Sequence, residues 1–321
     1  MLAAVFTTLL FSLSAIFGRR VSQYLTATQA NLGRLGLAAT MLGLWSHVFG
    51  FGIHGRAFPV LFLSGCVGFG LGDLAMFAAY RRIGARRTVV LIQCLAAPIG
   101  AVGEWVWLGH APTLTQALYG GVTLSGVGLA LQPPDNKPSD GKPGAAGVLF
   151  GILAAAGQAG GAVLSRKAYQ VAASAGESFR PVLLDGVNAA YQRTVGGIAF
   201  SLGFLIFLKI LGHLDIFSKG MGAIDPQRTD RDRAGTRSGA DWRRGMPWLI
   251  AHALAGPAAG VTCFQWALML KPTNIVLPIV ATTPLVVLPL AHYFEGERVT
   301  RRAVLGSGVA VAGVIGLVLA S

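Results

Sequence analysis

Apolar runs of about 20 residues follow one another along almost the whole chain, separated by short polar joints. Inside a bilayer the backbone has no water to bond to, so each such run must close its hydrogen bonds internally as an α-helix, and roughly 20 residues cover the hydrocarbon core. Ten runs can be laid out, at about 2–18, 28–50, 58–80, 86–108, 113–132, 145–165, 188–211, 247–268, 273–294 and 302–320. Composition agrees: the 321 residues are 53% hydrophobic and only 12% charged, with a mean hydropathy of +0.60. A soluble fold has no interior large enough for that much apolar material. The expectation is an all-α integral membrane protein with ten transmembrane helices.

The stretch from Met76 to Leu131 has an echo from Cys263 to Leu317. A constant offset of 186 residues lays Pro98 on Pro284, Ala117 on Ala303, Gly120 on Gly306 and Leu131 on Leu317 without a gap. Few identities survive, but the order does: an apolar helix end, a polar joint, a proline-broken helix, a tight loop, then a glycine-rich helix. Five helices per half is an odd number, so the second half must enter the membrane upside down, giving two inverted five-helix repeats. The expected division is a first repeat at 1–132, a Pro-, Gly- and Lys-rich linker at 133–144, and a second repeat at 145–321. Within the latter, 212–246 is polar, mixed in charge and without apolar periodicity, and is expected to be a mobile loop.

The net charge of +13 comes mostly from loops beside apolar runs, and Arg alternates with Asp in the long loop, so nucleic acid is not an expected partner. In or beside the loops after helices 1, 3, 5, 7 and 9 lie 19 Lys and Arg, against 5 on the opposite side. The positive-inside rule assigns the first side to the cytoplasm. Cys66, Cys94 and Cys263 are odd in number and fall inside apolar runs, which indicates small core hydrophobes, not a disulfide framework. The first run lacks a basic n-region and is followed by Arg19 and Arg20, so it reads as a retained helix.

Polar residues inside the runs are the candidates for function, because each is costly in hydrocarbon unless paired or solvated. Helix 1 carries Thr7, Thr8, Ser12 and Ser14, which should face other helices. Arg34, Asp73 and Gln93 each lie six or seven residues from one face, roughly 9–11 Å deep. Gln158 and Arg193 occupy similar depths from the other face, and the two layers are expected to bracket a central cavity. Asp73 follows Gly65, Gly68, Gly70 and Gly72 and has two readings of equal weight, a functional carboxylate or a fixed ion pair with Arg34. Arg34 and Arg193 suit either an anionic substrate or structural anchoring. Gln93, Gln158, Tyr191 and Gln265 are hydrogen-bonding groups for a small polar solute. Glu104, beside Trp105 and Trp107, is expected to snorkel to the interface, with proton coupling as the lesser reading. Pro98 should kink helix 4, and Pro278, Pro284 and Pro289 should break helix 9, with Pro98 and Pro284 as the paired kinks. Glu295 and Glu297 are expected to cap the turn before helix 10. His47, His110, His252 and His292 lie near run ends without metal-ligand spacing, so neither metal nor cofactor is expected.

Arg34 in NLGRLGLAA, the GLGD and AAYRRIGARR run around Asp73, Pro98, and the second-half PLVVLPLAHYFEGERVT together resemble the drug/metabolite transporter superfamily, EamA type, over essentially the whole chain. Members usually carry a Gly-Glu pair about thirteen residues after the proline; Gly296 and Glu297 match it, whereas the first half has His110 and Ala111 there. The resemblance implies a ten-helix transporter in the cytoplasmic or inner membrane that exports or exchanges small metabolites, such as amino acids or related polar or amphipathic solutes, by alternating access. It also implies both termini in the cytoplasm, opposite to the charge count. The expected partners are a small-molecule solute and the lipid bilayer, with a homodimer left open. No nucleophile–base cluster or phosphate loop is present, so the chain is read as moving a solute and not as an enzyme. The rival reading is a non-transporting membrane scaffold or sensor acting through 212–246.

Overall fold

The computed structural model describes residues 1–25, 27–131, 144–177, 182–211, 241–295 and 301–320, with backbone alone at 27, 28, 81, 84–86, 182, 183 and 291–295. Every regular element among the described residues is helical. In chain order they are α1 (Leu2–Val21), α2 (Ala27–Phe49), α3 (Phe58–Tyr80), α4 (Arg87–Leu108), α5 (Leu114–Ala130), α6 (Ala145–Ser174), α7 (Val182–Ile210), α8 (Trp242–Leu270), α9 (Thr273–Val280 and Thr283–Glu295) and α10 (Arg301–Leu319). Eight of these ten are long and apolar enough to cross a membrane; α2 and α5 complete the set. The backbone keeps helical geometry from Asp73 to Leu108, across the joint and past Pro98. The chain nevertheless reverses there, because Ala75, Ile92 and Ala154 share one packed cluster. A straight helix would hold residues 75 and 92 roughly 25 Å apart.

Small residues set how closely the helices approach. On α5 and α10, Tyr119 lies against Gly316, Thr123 against Gly313, Gly126 against Ala310 and Ala130 against Gly306. As one number rises the other falls, so these counterpart helices are antiparallel. The same holds for α2 and α7, where Gly43 meets Tyr191 and Gly50 meets Asn188. Antiparallel counterparts are what an odd number of helices per half requires. A second echo is invisible in hydropathy: α3 widens to π-helical turns at Cys66–Gly72 and α8 at Leu254–Ala258. The 186-residue offset lays the second on 68–72. In α8 Pro257 removes an amide donor, and in α3 the glycines lower helix stability, so both segments tolerate the wider turn.

Helix α9 breaks at Ala281–Thr282. Pro284, in the first turn of the second piece, has no N–H to offer the Val280 carbonyl, and the Thr283 hydroxyl donates to that oxygen instead, at 2.6 Å. From α1, Thr8 Oγ1 donates to Ile279 O (3.2 Å) and Ser12 Oγ to Thr283 O (3.0 Å). The hydroxyls of α1 therefore face inward, as expected, and tie α1 to the backbone on both sides of the break. Pro98 does not interrupt its helix. Leu2, Val106, Leu118, Ile206 and Leu319 are among many large apolar side chains left exposed, a surface suited to lipid.

Several boundaries differ from those read in the sequence. Helix α6 continues past 165 to Ser174, α7 begins at Val182 instead of 188, and α8 begins at Trp242, inside the supposed loop. That start is capped by Asp241, whose side chain accepts the Arg244 N–H at 3.2 Å. The remainder of the loop (212–240), the linker at 132–143, and Gly296 and Glu297 lie outside the described residues, as do the side chains of Glu295 and His292.

Candidate functional site: a buried charge cluster

Arg34 of α2 donates from Nη2 to Asp73 Oδ2 of α3 at 3.3 Å and from Nε to Asn31 Oδ1 at 2.9 Å. The π-turn immediately before Asp73 brings α3 against α6 and α7. At the α3–α7 crossing, a Cβ on Gly65 would run into the Arg193 carbonyl oxygen and one on Gly196 into that of Phe62. This close approach lets Arg193 of α7 reach between the helices, where its guanidinium lies 4.8 Å from the Phe69 ring and 5.7 Å from the Phe264 ring. Arg193 is only 4% exposed, and its Nε and Nη1 have no hydrogen-bond partner among the described residues. Asp73 is within electrostatic range of both Arg34 and Arg193. The side chains of Arg34 and Asp73 remain 20% and 19% exposed.

A second buried charged group lies toward the opposite end of α4. Glu104 is 1% exposed and does not snorkel. Its Oε1 accepts Arg166 Nε at 3.0 Å, and its Oε2 accepts the backbone N–H of Thr273, the first residue of α9. Arg166 also donates from Nη1 to Leu268 O (2.8 Å) and Met269 O (3.3 Å), the last carbonyls of α8. Carboxylate thus meets a helix N-terminus and guanidinium a helix C-terminus, each the favourable pole of the helix dipole. Thr273 Oγ1 donates to Gly100 O at 3.0 Å, and Asn274 Nδ2 to Gln116 Oε1 at 2.9 Å, extending the clasp to α5.

The profile of the EamA-like transporter family matches residues 1–132 and 145–319, nearly the whole chain. The chain belongs to the EamA-like transporter family. It is accordingly a multi-pass membrane protein of the drug/metabolite transporter superfamily. A solved crystal structure superposes with a TM-score of 0.71 at 13% identity, over 99% of this chain and 96% of that one, a likeness of fold alone. No curated protein matches the chain.

Of the residues singled out in this EamA-like chain, Arg34 and Asp73 pair directly and Arg193 reaches the π-turn that precedes Asp73, its Nη2 beside Gly68, while the others do not join them directly. Gln265, fully buried, accepts from Tyr169 Oη (3.1 Å) and donates to Ser165 Oγ (3.2 Å), which pairs with Ser64 Oγ (2.9 Å). Tyr191 pairs through its hydroxyl with His47 Nε2 at 3.1 Å. Gln93 is half-buried, with Oε1 unpartnered among the described residues, and Gln158 is half-buried. A surface hollow of about 850 Å3 opens near Arg56, Lys167, Ser174 and Glu177, and none of the candidate residues lines it. Arg166 and Tyr169 lie beyond the apolar run that ends at 165, in the continuation of α6 to Ser174. The signal was present: RKAYQVAAS carries no Gly or Pro to stop a helix. His252, expected near a run end, is instead inside α8, with Nδ1 2.8 Å from Ser14 Oγ. The three cysteines are free and partly buried.

Proposed function

We propose that this protein is a secondary transporter that exports or exchanges small metabolites, amino acids and related polar or amphipathic solutes among them, across a cytoplasmic or inner membrane by alternating access. It moves its solute and does not transform it. The observation that carries the reading is the charge group of Arg34 and Asp73, paired between α2 and α3 of the first half, with the buried Arg193 of α7 of the second half reaching the π-turn just before Asp73. Charge is expensive there and such groups usually serve a solute path. The antiparallel pairs α5–α10 and α2–α7 support two inverted repeats, at 1–132 and 145–321, that rock against each other. The clasp of Glu104 and Arg166 joins α4 to α6 and to the α8–α9 joint, and in this reading it is the closed gate that must part when access changes sides.

Counterflow tests the proposal. Proteoliposomes loaded with a metabolite mixture should accumulate a labelled external solute above protein-free vesicles, whereas no accumulation from a broad panel, with folded protein, rejects transport. Because Asp73 is tied to Arg34 at 3.3 Å, solute exchange is favoured over proton coupling. Asp73→Asn is then expected to lower flux at every pH while leaving the shape of the pH profile unchanged. A profile that flattens in the variant assigns Asp73 to coupling and removes the exchange reading.

A further inference from the structure

We infer that Arg193 anchors the carboxylate of a monoanionic organic solute whose apolar body packs against Phe69 and Phe264. This deepens the transporter reading and rests on it, and within that reading it narrows the solutes from amino acids to monocarboxylates. The argument begins with a charge count: Arg34 and Arg193 are two cations and Asp73 is one anion, so the cluster carries an excess of one positive charge inside the bundle. Arg34 has already taken the nearer carboxylate oxygen and Asn31 as well. Arg193 is left 96% buried, its Nε and Nη1 without an acceptor among the described residues. A cation in that state lacks the partner that burial requires, and guanidinium is the side chain best shaped to receive a planar carboxylate.

The surroundings narrow the class further. The two aromatic rings at 4.8 and 5.7 Å lie against the charge and give it cation–π contact, but they offer no oxygen acceptor. They also form an apolar wall beside the donors, which suits a hydrocarbon or aromatic body next to the carboxylate. On the other side Gly68 and Gly161 leave room for Nη2; a Cβ at Gly161 would come within 2.8 Å of it. One carboxylate neutralises the excess charge, whereas a phosphate dianion overshoots it and a zwitterion leaves it in place. A monocarboxylate is therefore the solute class that balances the cluster.

Binding is measured on the purified full-length protein in detergent with 3-phenylpropanoate as the probe, compared with its neutral amide, with phenylalanine and with inorganic phosphate. The acid is expected to bind at least tenfold more tightly than each of the other three. Arg193→Gln should erase the preference for acid over amide. Arg193→Lys, which keeps the charge and loses the planar donor set, should weaken acid binding while retaining a preference, and it serves if the Gln variant does not fold. Equal binding of acid and amide by the wild type, or an unchanged preference in both variants, overturns the inference; phenylalanine or phosphate binding as tightly as the acid overturns the monocarboxylate class. The same panel in counterflow separates the two levels. Flux of neutral or cationic solutes with no acid binding removes the anion site and leaves the transporter, and acid binding without flux of any solute does the reverse.

Discussion

The two charge groups inside this protein are both built from carboxylate and guanidinium, Arg34, Asp73 and Arg193 in one and Glu104 and Arg166 in the other, and they end in opposite states. At the clasp both carboxylate oxygens are filled: Glu104 receives Arg166 Nε and the Thr273 amide, and Arg166 gives Nη1 to the end of α8. In the central cluster, Arg34 and Asp73 pair while Arg193, more deeply buried than either, is left with open donors. A saturated group holds helices together and has nothing left for a solute. An unsaturated one costs stability in the empty protein and recovers it on binding. The two groups differ in unfilled hydrogen-bond capacity more than in burial, and the proposed solute site at Arg193 rests on that difference.

The largest effect is expected from breaking the saturated side. Glu104→Ala strands the Arg166 guanidinium and uncaps α9, and removing one member of a buried pair costs about 3–5 kcal/mol. Thermal or denaturant unfolding in detergent should show a loss of that size; a loss near zero would mean that the clasp is not saturated in the membrane. The unsaturated side can be disturbed through its backbone. Gly65→Ala drives a Cβ onto the Arg193 carbonyl, with an expected destabilisation of about 1–3 kcal/mol from overpacking, together with weakened solute binding. If Gly65→Ala leaves binding untouched, Arg193 does not need its present position to serve the solute. The smallest effect should come from Thr283→Val at the α9 break, remote from both groups, where one hydroxyl-to-carbonyl bond is lost for about 1 kcal/mol and solute affinity stays the same.

Much of the fold was legible because bilayer spanning imposes a strong rule on long apolar runs. Ten helices, the inward hydroxyls of α1, the break near Pro284 and the Arg34–Asp73 pair follow from run length, residue type and depth. Helix ends were legible only where punctuation exists. Nothing in RKAYQVAAS forbids helix, and hydropathy falls there without any backbone reason to stop, so run length alone ends the helix before Arg166 and hides the clasp. Glu104 was misread for the same reason: four residues from a helix end beside two tryptophans implies an interface, yet the partner that buries it arrives from α6, a contact that depth arithmetic along α4 cannot supply. Gln265 and Tyr191 show the converse. Their polarity was visible, but the partners that occupy them, Ser165 and Tyr169 in one case and His47 in the other, belong to the tertiary fold. Depth likewise put Arg193 in a separate layer from Arg34 and Asp73, because counting residues along a helix takes no account of how far an arginine side chain reaches across it.

The most direct test of the contrast is the unfolding stability of Arg193→Gln against wild type, both purified in detergent without solute. An unsaturated cation should be dispensable to the empty fold, so the variant is expected to match the wild type or exceed it. A loss of about 3–5 kcal/mol, the size expected for Glu104→Ala, would mean that Arg193 is a structural partner after all and would contradict the account.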